Sequence, residues 1–282
     1  MNYIFLVYFF ILGLIVGSFL NVVIYRYNTG KTIGGRSGCM SCGKKLKAFE
    51  LVPVFSYLFL RGKCSGCGAR ISSQYPLVEL ASGLLFLALA TKVFDSNPTF
   101  SPEQASLYGA SILHSTFYIL FATIFSILVV IFVYDIKHKI IPDGLVFAFA
   151  ILALIYQLLN LDYSNINLSF WLNIFSGIIF FIPFAALWLF SQGRWIGLGD
   201  GKLVLGIGWM LGFVHGLSAI ILSFWLGAIV SIAIMLTFQL KGRGQNITMK
   251  TEIPFAPFLI IGFLIVFFYP IDVFNLSLLF NL

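Results

Sequence analysis

Eight apolar stretches dominate this sequence, at 3–25, 76–94, 112–134, 142–160, 168–190, 202–214, 216–238 and 254–270. A helix needs about 20 such residues to cross the hydrocarbon of a bilayer. Stretch 202–214 is short, and its boundary with the next is left open. Hydrophobic residues fill 60% of the 282 positions and charged ones only 10%, so lipid rather than water must surround most of the chain. The expected fold is an all-α integral membrane protein of about eight transmembrane helices. Residues 1–25 read as a retained first span and not a signal peptide. The apolar run is too long, no basic segment precedes it, and Arg26, Lys31 and Arg36 follow at once.

The net charge of +7 invites a nucleic-acid reading, but the positions of the charges give another. Alternating the spans puts 26–75, 135–141, 191–201 and 239–253 on one side, and with Lys202 counted there that side holds every Lys and Arg except Lys92. The positive-inside rule makes it the cytoplasmic side, with the N-terminus outside, and no nucleic acid is needed. The expected location is the bacterial inner membrane. Loop 95–111 on the other side carries Asp95 and Glu103 and no recognisable chemistry.

The one large polar segment, 26–75, holds all four cysteines as Cys39, Cys42, Cys64 and Cys67. Two C-x2-C pairs separated by a 21-residue gap are close to zinc-ribbon spacing. Each pair is followed by a glycine that lets backbone N–H groups turn toward the sulfurs. The alternatives are two disulfides or four free thiols, and a reducing cytoplasm weighs against disulfides. A closed four-thiolate site leaves no open position for water, so the zinc is structural. Lys44, Lys45, Lys47, Arg61, Lys63 and Arg70 surround the pairs, offset their negative charge, and can face anionic membrane lipid. The expected division is a first helix at 1–25, a cysteine domain at 26–75 and a polytopic membrane domain at 76–282.

Ionisable groups at membrane depth cost roughly 2.5–3.5 kcal/mol each on insertion scales and point to function. Glu79, Asp135, Asp143, Asp200 and Glu252 all fall at cytoplasmic ends of spans. Asp135 ends the third span, where unpaired carbonyls disfavour a carboxylate; Asp200 opens the sixth, where free N–H groups favour one. Gly197, Gly199 and Gly201 flank Asp200 and leave room for a substrate backbone. Packed together, the two acids would share a proton and hold a water, the arrangement of an aspartic protease, with Asp200 as base and Asp135 as acid. A helix-capping role is the competing reading of Asp200. Asp143 follows Pro142, and Glu252 closely precedes Pro254, so both read as helix-opening residues. Glu79 is expected to pair with a cytoplasmic Lys or Arg, and Lys202 either meets an acidic group on the substrate or snorkels. His114, His138 and His215 form no metal spacing.

Several ordered motifs resemble those of the type IV prepilin peptidases of the GxGD aspartyl protease class. They are GSFLNVVIYR at 17–26, GRS at 35–37, the two cysteine pairs, LVPVFSYLFLRGKC at 51–64, ISSQYPLVE at 71–79, DIKHKIIPD at 135–143 and GLGDGKL at 197–203. The resemblance implies a membrane enzyme that removes the basic leader from prepilins and pseudopilins, with Asp135 and Asp200 catalytic. It also implies N-methylation of the new N-terminus from S-adenosylmethionine, with the cysteine domain associated with that second activity. GGRSG at 34–38 lacks the strand-to-helix context of a nucleotide-binding turn, so no residue is assigned to the methyl donor. Met40 stands where many relatives have proline and leaves the ligand spacing intact. Two other readings remain: a GxGD protease acting on other transmembrane helices, and a transporter or assembly scaffold whose acids bind protons or partners.

Overall fold

The computed structural model describes residues 3–30, 32, 34–94, 110–161, 163, 166–240 and 254–277. Among these the chain is helical, with no strand. Helix α1 is Tyr3–Arg26, α2 is the short Phe55–Phe59, α3 is Gln74–Phe94, α4 is Ala110–His138, α5 is Asp143–Asn160, α6 is Leu168–Ser191, α7 is Leu198–Leu240 and α8 is Ala256–Phe268. By length and composition, α1, α3, α4, α5, α6 and α7 can cross a membrane. The chain divides into two compact units, Met1–Val130 and Ile131–Leu282. Glu252, with the rest of loop 241–253, and most of loop 95–111 lie outside the described residues.

Helix α7 spans 43 residues, about 65 Å at 1.5 Å per residue, twice the hydrocarbon thickness of about 30 Å. It is two helices. Gly212 breaks it with φ 73° and ψ −173°, a conformation open essentially to glycine alone. A Cβ on Gly216 would lie 3.4 Å from the Gly208 Cα, whereas eight residues of continuous helix would separate these positions by about 12 Å. The chain therefore reverses, and arms 198–211 and 213–240 run antiparallel. The Asn173 side chain caps the second arm by accepting from the Phe213 N–H at 3.0 Å. With α8, the apolar helical segments number eight among the described residues, the short sixth of them being the first arm of α7.

In lipid there is no hydrophobic force between helices, so close packing relies on small residues and interhelical hydrogen bonds. In the first unit, α1 crosses α3 where a Cβ on Gly13 would lie 2.8 Å from the Gly83 Cα. Buried Asn21 ties them by donating to the Tyr75 carbonyl at 3.1 Å. In the second, a Cβ on Gly208 would lie 2.7 Å from the Gly177 Cα of α6, and Ser176 Oγ donates to the Gly208 carbonyl at 2.8 Å. Phe149 of α5 and Phe263 of α8, both fully buried, meet edge to face at 6.1 Å. This packing fixes the first turn of α7 against the start of α5.

Candidate active site and metal centre

Asp135 lies in the last turn of α4 and Asp200 in the first turn of α7; both are buried, at 4% and 8% exposure. They belong to the same compact unit, and Asp200 feels the charge of Asp135 directly. Asp200 also closes its own helix start: its N–H donates to the Gly197 carbonyl at 3.2 Å, and its carboxylate accepts from the Gly197 N–H, the backward half of a capping box. Asp200 therefore closes the start of its own helix while lying within electrostatic reach of Asp135.

The helix poles are as expected, but a second helix start offsets the contrast between the two acids. The Asp135 carbonyl is paired with the Lys139 N–H at 2.8 Å, and its carboxyl accepts from the Ala256 N–H at the start of α8. Both acids thus face a helix N-terminus, Asp200 its own and Asp135 that of α8, so helix polarity does not set one apart as acid and the other as base. Asp135 keeps one oxygen, Oδ2, that is buried with no hydrogen-bond partner among the described residues. A buried carboxyl oxygen left orphaned beside a second carboxyl suits a proton, a water or a substrate group.

The glycines around Asp200 serve the packing more than an incoming chain. A Cβ on Gly199 would lie 2.9 Å from the Ile141 Cβ, and one on Gly201 would lie 3.1 Å from the Phe184 Cβ. Gly199 admits the turn between α4 and α5, and that turn is what carries Asp135 alongside Asp200. Only Gly197 faces open space beyond Asp200 itself. Asp143 opens α5 as expected, yet its carboxylate takes the Lys202 ammonium at 2.7 Å. Lys202 also stands 5.1 Å over the Phe147 ring. Among the described residues no cation pairs with Glu79, which is buried and accepts from the Val54 N–H at 2.7 Å.

The four cysteines converge. Their sulfurs all lie within 4.8 Å of one another, and Cys39 and Cys67 are 3.8 Å apart. A tetrahedral zinc with Zn–S near 2.3 Å sets sulfurs about 3.8 Å apart, so the donor set fits that ion, and no disulfide joins them. Two like turns build the site. Gly43 N–H donates to Cys39 O and Gly68 N–H to Cys64 O, both at 2.9 Å. These glycines adopt φ of 70° and 71°, and isolated bridges Gly38–Lys45 and Lys63–Arg70 close each turn. These are paired knuckles, not a stranded ribbon. Backbone N–H groups of Cys42 and Ser41 hold the Cys39 thiol down at about 6. Cys67, despite the Ala69 N–H, is pushed up to about 11 by the neighbouring Cys42 thiol and by burial. Four sulfurs this close suit a shared metal ion.

Glu50, which no sequence motif singles out, clamps the two knuckles. Its carboxylate accepts from the Lys47 N–H at 2.7 Å and pairs with Lys44 at 3.2 Å. It also bonds the Ser65 hydroxyl, between the second pair of cysteines. The Lys47 N–H, more than the Ser65 hydroxyl, holds its pKa down at about 2. The glycine-rich stretch at 34–38 begins beside the end of α1. The Arg26 guanidinium donates to Thr32 O at 2.9 Å and Gly34 O at 2.8 Å, stitching that stretch to the end of α1.

Two family profiles match, the bacterial peptidase A24 N-terminal domain over residues 11–93 and the type IV leader peptidase family over 120–232. A prepilin leader peptidase/N-methyltransferase of Bacillus subtilis (strain 168) is 32% identical, covering 92% of each chain. The chain belongs to the type IV leader peptidase family. Proteins of the same description from Vibrio cholerae, 31% identical over 95% of this chain and 98% of that one, and Pseudomonas putida, 29% over 89% and 86%, are similar along their length. No solved structure is matched by the chain. Membership and six helices of spanning length make this a multi-pass membrane protein.

Proposed function

We propose that this chain is a prepilin peptidase of the bacterial inner membrane that uses Asp135 and Asp200 to remove the leader from prepilins and pseudopilins. The observation that carries the reading is the buried, unpartnered Oδ2 of Asp135 within the electrostatic reach of Asp200, in a chain similar to named prepilin leader peptidases along nearly all its length. In this mechanism the two carboxyls hold one proton between them, and that proton belongs to the pair. The ionised member draws a proton from a bound water, whose oxygen bonds to the scissile carbonyl carbon, while the shared proton goes to the carbonyl oxygen. Collapse of the tetrahedral adduct breaks the C–N bond, and the leaving amine takes up a proton. Burial keeps bulk water from the pair.

The topology suits such a substrate. With the N-terminus outside and the cysteine segment in the cytoplasm, the aspartates lie at the cytoplasmic face, where a prepilin helix presents its basic leader. In this reading 26–75 is the metal domain and 76–282 carries the peptidase. Zinc in the Cys39, Cys42, Cys64 and Cys67 site folds that domain. The relatives' second activity, N-methyl transfer, is proposed here too; S-adenosylmethionine supplies the methyl group when bound, and no residue of this chain is assigned to it. A transporter reading finds no support in Asp135 and Asp200, which both stand in end turns of their helices. The test is digestion of a prepilin by the reconstituted enzyme, with mass spectrometry of the product's N-terminus. Parent enzyme gives the clipped, methylated product, and Asp135→Asn and Asp200→Asn give neither; full clipping by either variant overturns the assignment.

A further inference from the structure

The segment between the cysteine pairs carries apolar side chains that the metal site does not use. Phe49, Leu51, Phe55, Leu58 and Phe59 are all exposed, Phe59 to 85%. Exposed apolar side chains concentrated in one short segment of so small a domain mark an interaction surface.

A single hydrogen bond sets the depth of this patch. The Val54 N–H donates to Glu79 Oε2 at 2.7 Å, and the same carboxylate accepts from the Ser18 side chain. Glu79 lies more than a helical turn inside α3, which begins at Gln74, about 8 Å along the axis. Ser18 lies two turns before α1 ends at Arg26, about 12 Å back. The segment therefore folds back alongside both spans, to a level inside their ends. The outward side chains at that level, Phe19 of α1 and Leu77 and Leu80 of α3, are apolar and exposed as well.

Non-helical backbone is tolerated at such a level only when its polar groups are paired. Pro53 has no N–H; Phe55 donates to Pro53 O, Ser56 to Val52 O and Leu58 to Val54 O. The Val54 N–H goes to the Glu79 carboxylate and not to a local carbonyl. Val54 holds φ 61° and ψ −50°, a rare conformation for a β-branched residue. Strain of this kind persists only where surrounding contacts impose it. Exposed Lys45 and Lys47 precede the segment, and exposed Arg61 and Lys63 follow it.

We propose that residues 49–59 form a membrane-dipping loop whose partner is the lipid of the cytoplasmic leaflet. Its apolar side chains enter the boundary between headgroups and acyl chains, and the flanking Lys and Arg meet anionic headgroups. Continuity with the outward faces of α1 and α3, the tie of Val54 to Glu79 and the basic flanks favour lipid over a protein partner. The loop holds the cysteine domain down on the membrane surface.

The test places a photoreactive benzoylphenylalanine at Phe59, and separately at Leu58, in enzyme reconstituted into phosphatidylcholine–phosphatidylglycerol vesicles with prepilin present. Metal content and size-exclusion behaviour check that each variant folds. The expected result is lipid adducts in a yield within about twofold of that from the same group at Leu84 of α3, and about tenfold above that from Ser65 in the second knuckle. Arg61→Glu with Lys63→Glu should shift the adducts away from phosphatidylglycerol. Cross-links to prepilin or to a second copy in place of lipid, or a lipid yield no higher than at Ser65, overturn the proposal and leave the peptidase assignment untouched.

Discussion

Asp135 and Asp200 act as one chemical unit in the proposed mechanism, and that has a kinetic consequence. Either Asp→Asn change should lower the clipping rate by at least about 10²- to 10⁴-fold. The double variant should be hardly worse than the worse single one, because removing either partner already disables the pair. Multiplying losses would mean two independent roles. Lys202 and Asp143 make the contrasting case: Asp143 is exposed, and exposed pairs contribute about 0–1 kcal/mol. Lys202→Met and Asp143→Asn should each retain clipping within about tenfold, and their double-mutant cycle should give a coupling below about 1 kcal/mol. The aspartates and cysteines were legible in the sequence because such residue types are rarely kept at membrane depth or in paired spacing without use. Glu50, the Ala256 N–H and the true partner of Glu79 were not, because each contact depends on how a loop or a distant helix returns.

Helix α7 shows the same divide between pattern and geometry. Hydropathy identifies its apolar run, and the brevity of 202–214 hints at a turn nearby, yet the run GWMLGFVHGL contains three glycines and, as its one ionisable residue, His215. Only the backbone picks out Gly212, with φ 73° and ψ −173°. Gly212→Ala should destabilise the protein by about 1–3 kcal/mol, since a Cβ there would also lie 2.8 Å from Asn173 Oδ1. Thermal unfolding in detergent measures this, and a variant as stable as the parent would contradict the hairpin. Within the cysteine domain, Glu50 makes the knuckles dependent on pH. Its pKa falls from 4.5 to about 2 on folding, so the stability it contributes is present above 4.5 and is lost as pH falls through about 2. Denaturation midpoints of parent and Glu50→Gln should differ at neutral pH and converge over that acid range. A gap that persists unchanged at the acid end would mean that the Glu50 charge is not its source.

For the whole molecule, the chain's division predicts that the two proposed activities can be separated. The aspartates lie in the unit Ile131–Leu282, and the cysteines in Met1–Val130. A four-thiolate site contributes folding free energy only to the segment it closes, and its binding is lost when a ligand is removed. Cys67→Ser should lower bound zinc from about one per chain to none, and unfold the knuckles without disturbing the helices that hold Asp135 and Asp200. Prepilin incubated with this variant and S-adenosylmethionine should then be clipped at a reduced but measurable rate, and its new N-terminus should lack the methyl mass. Loss of clipping as complete as in Asp135→Asn would tie the metal domain to the peptidase itself, and retention of the methyl mass would remove the domain from methyl transfer.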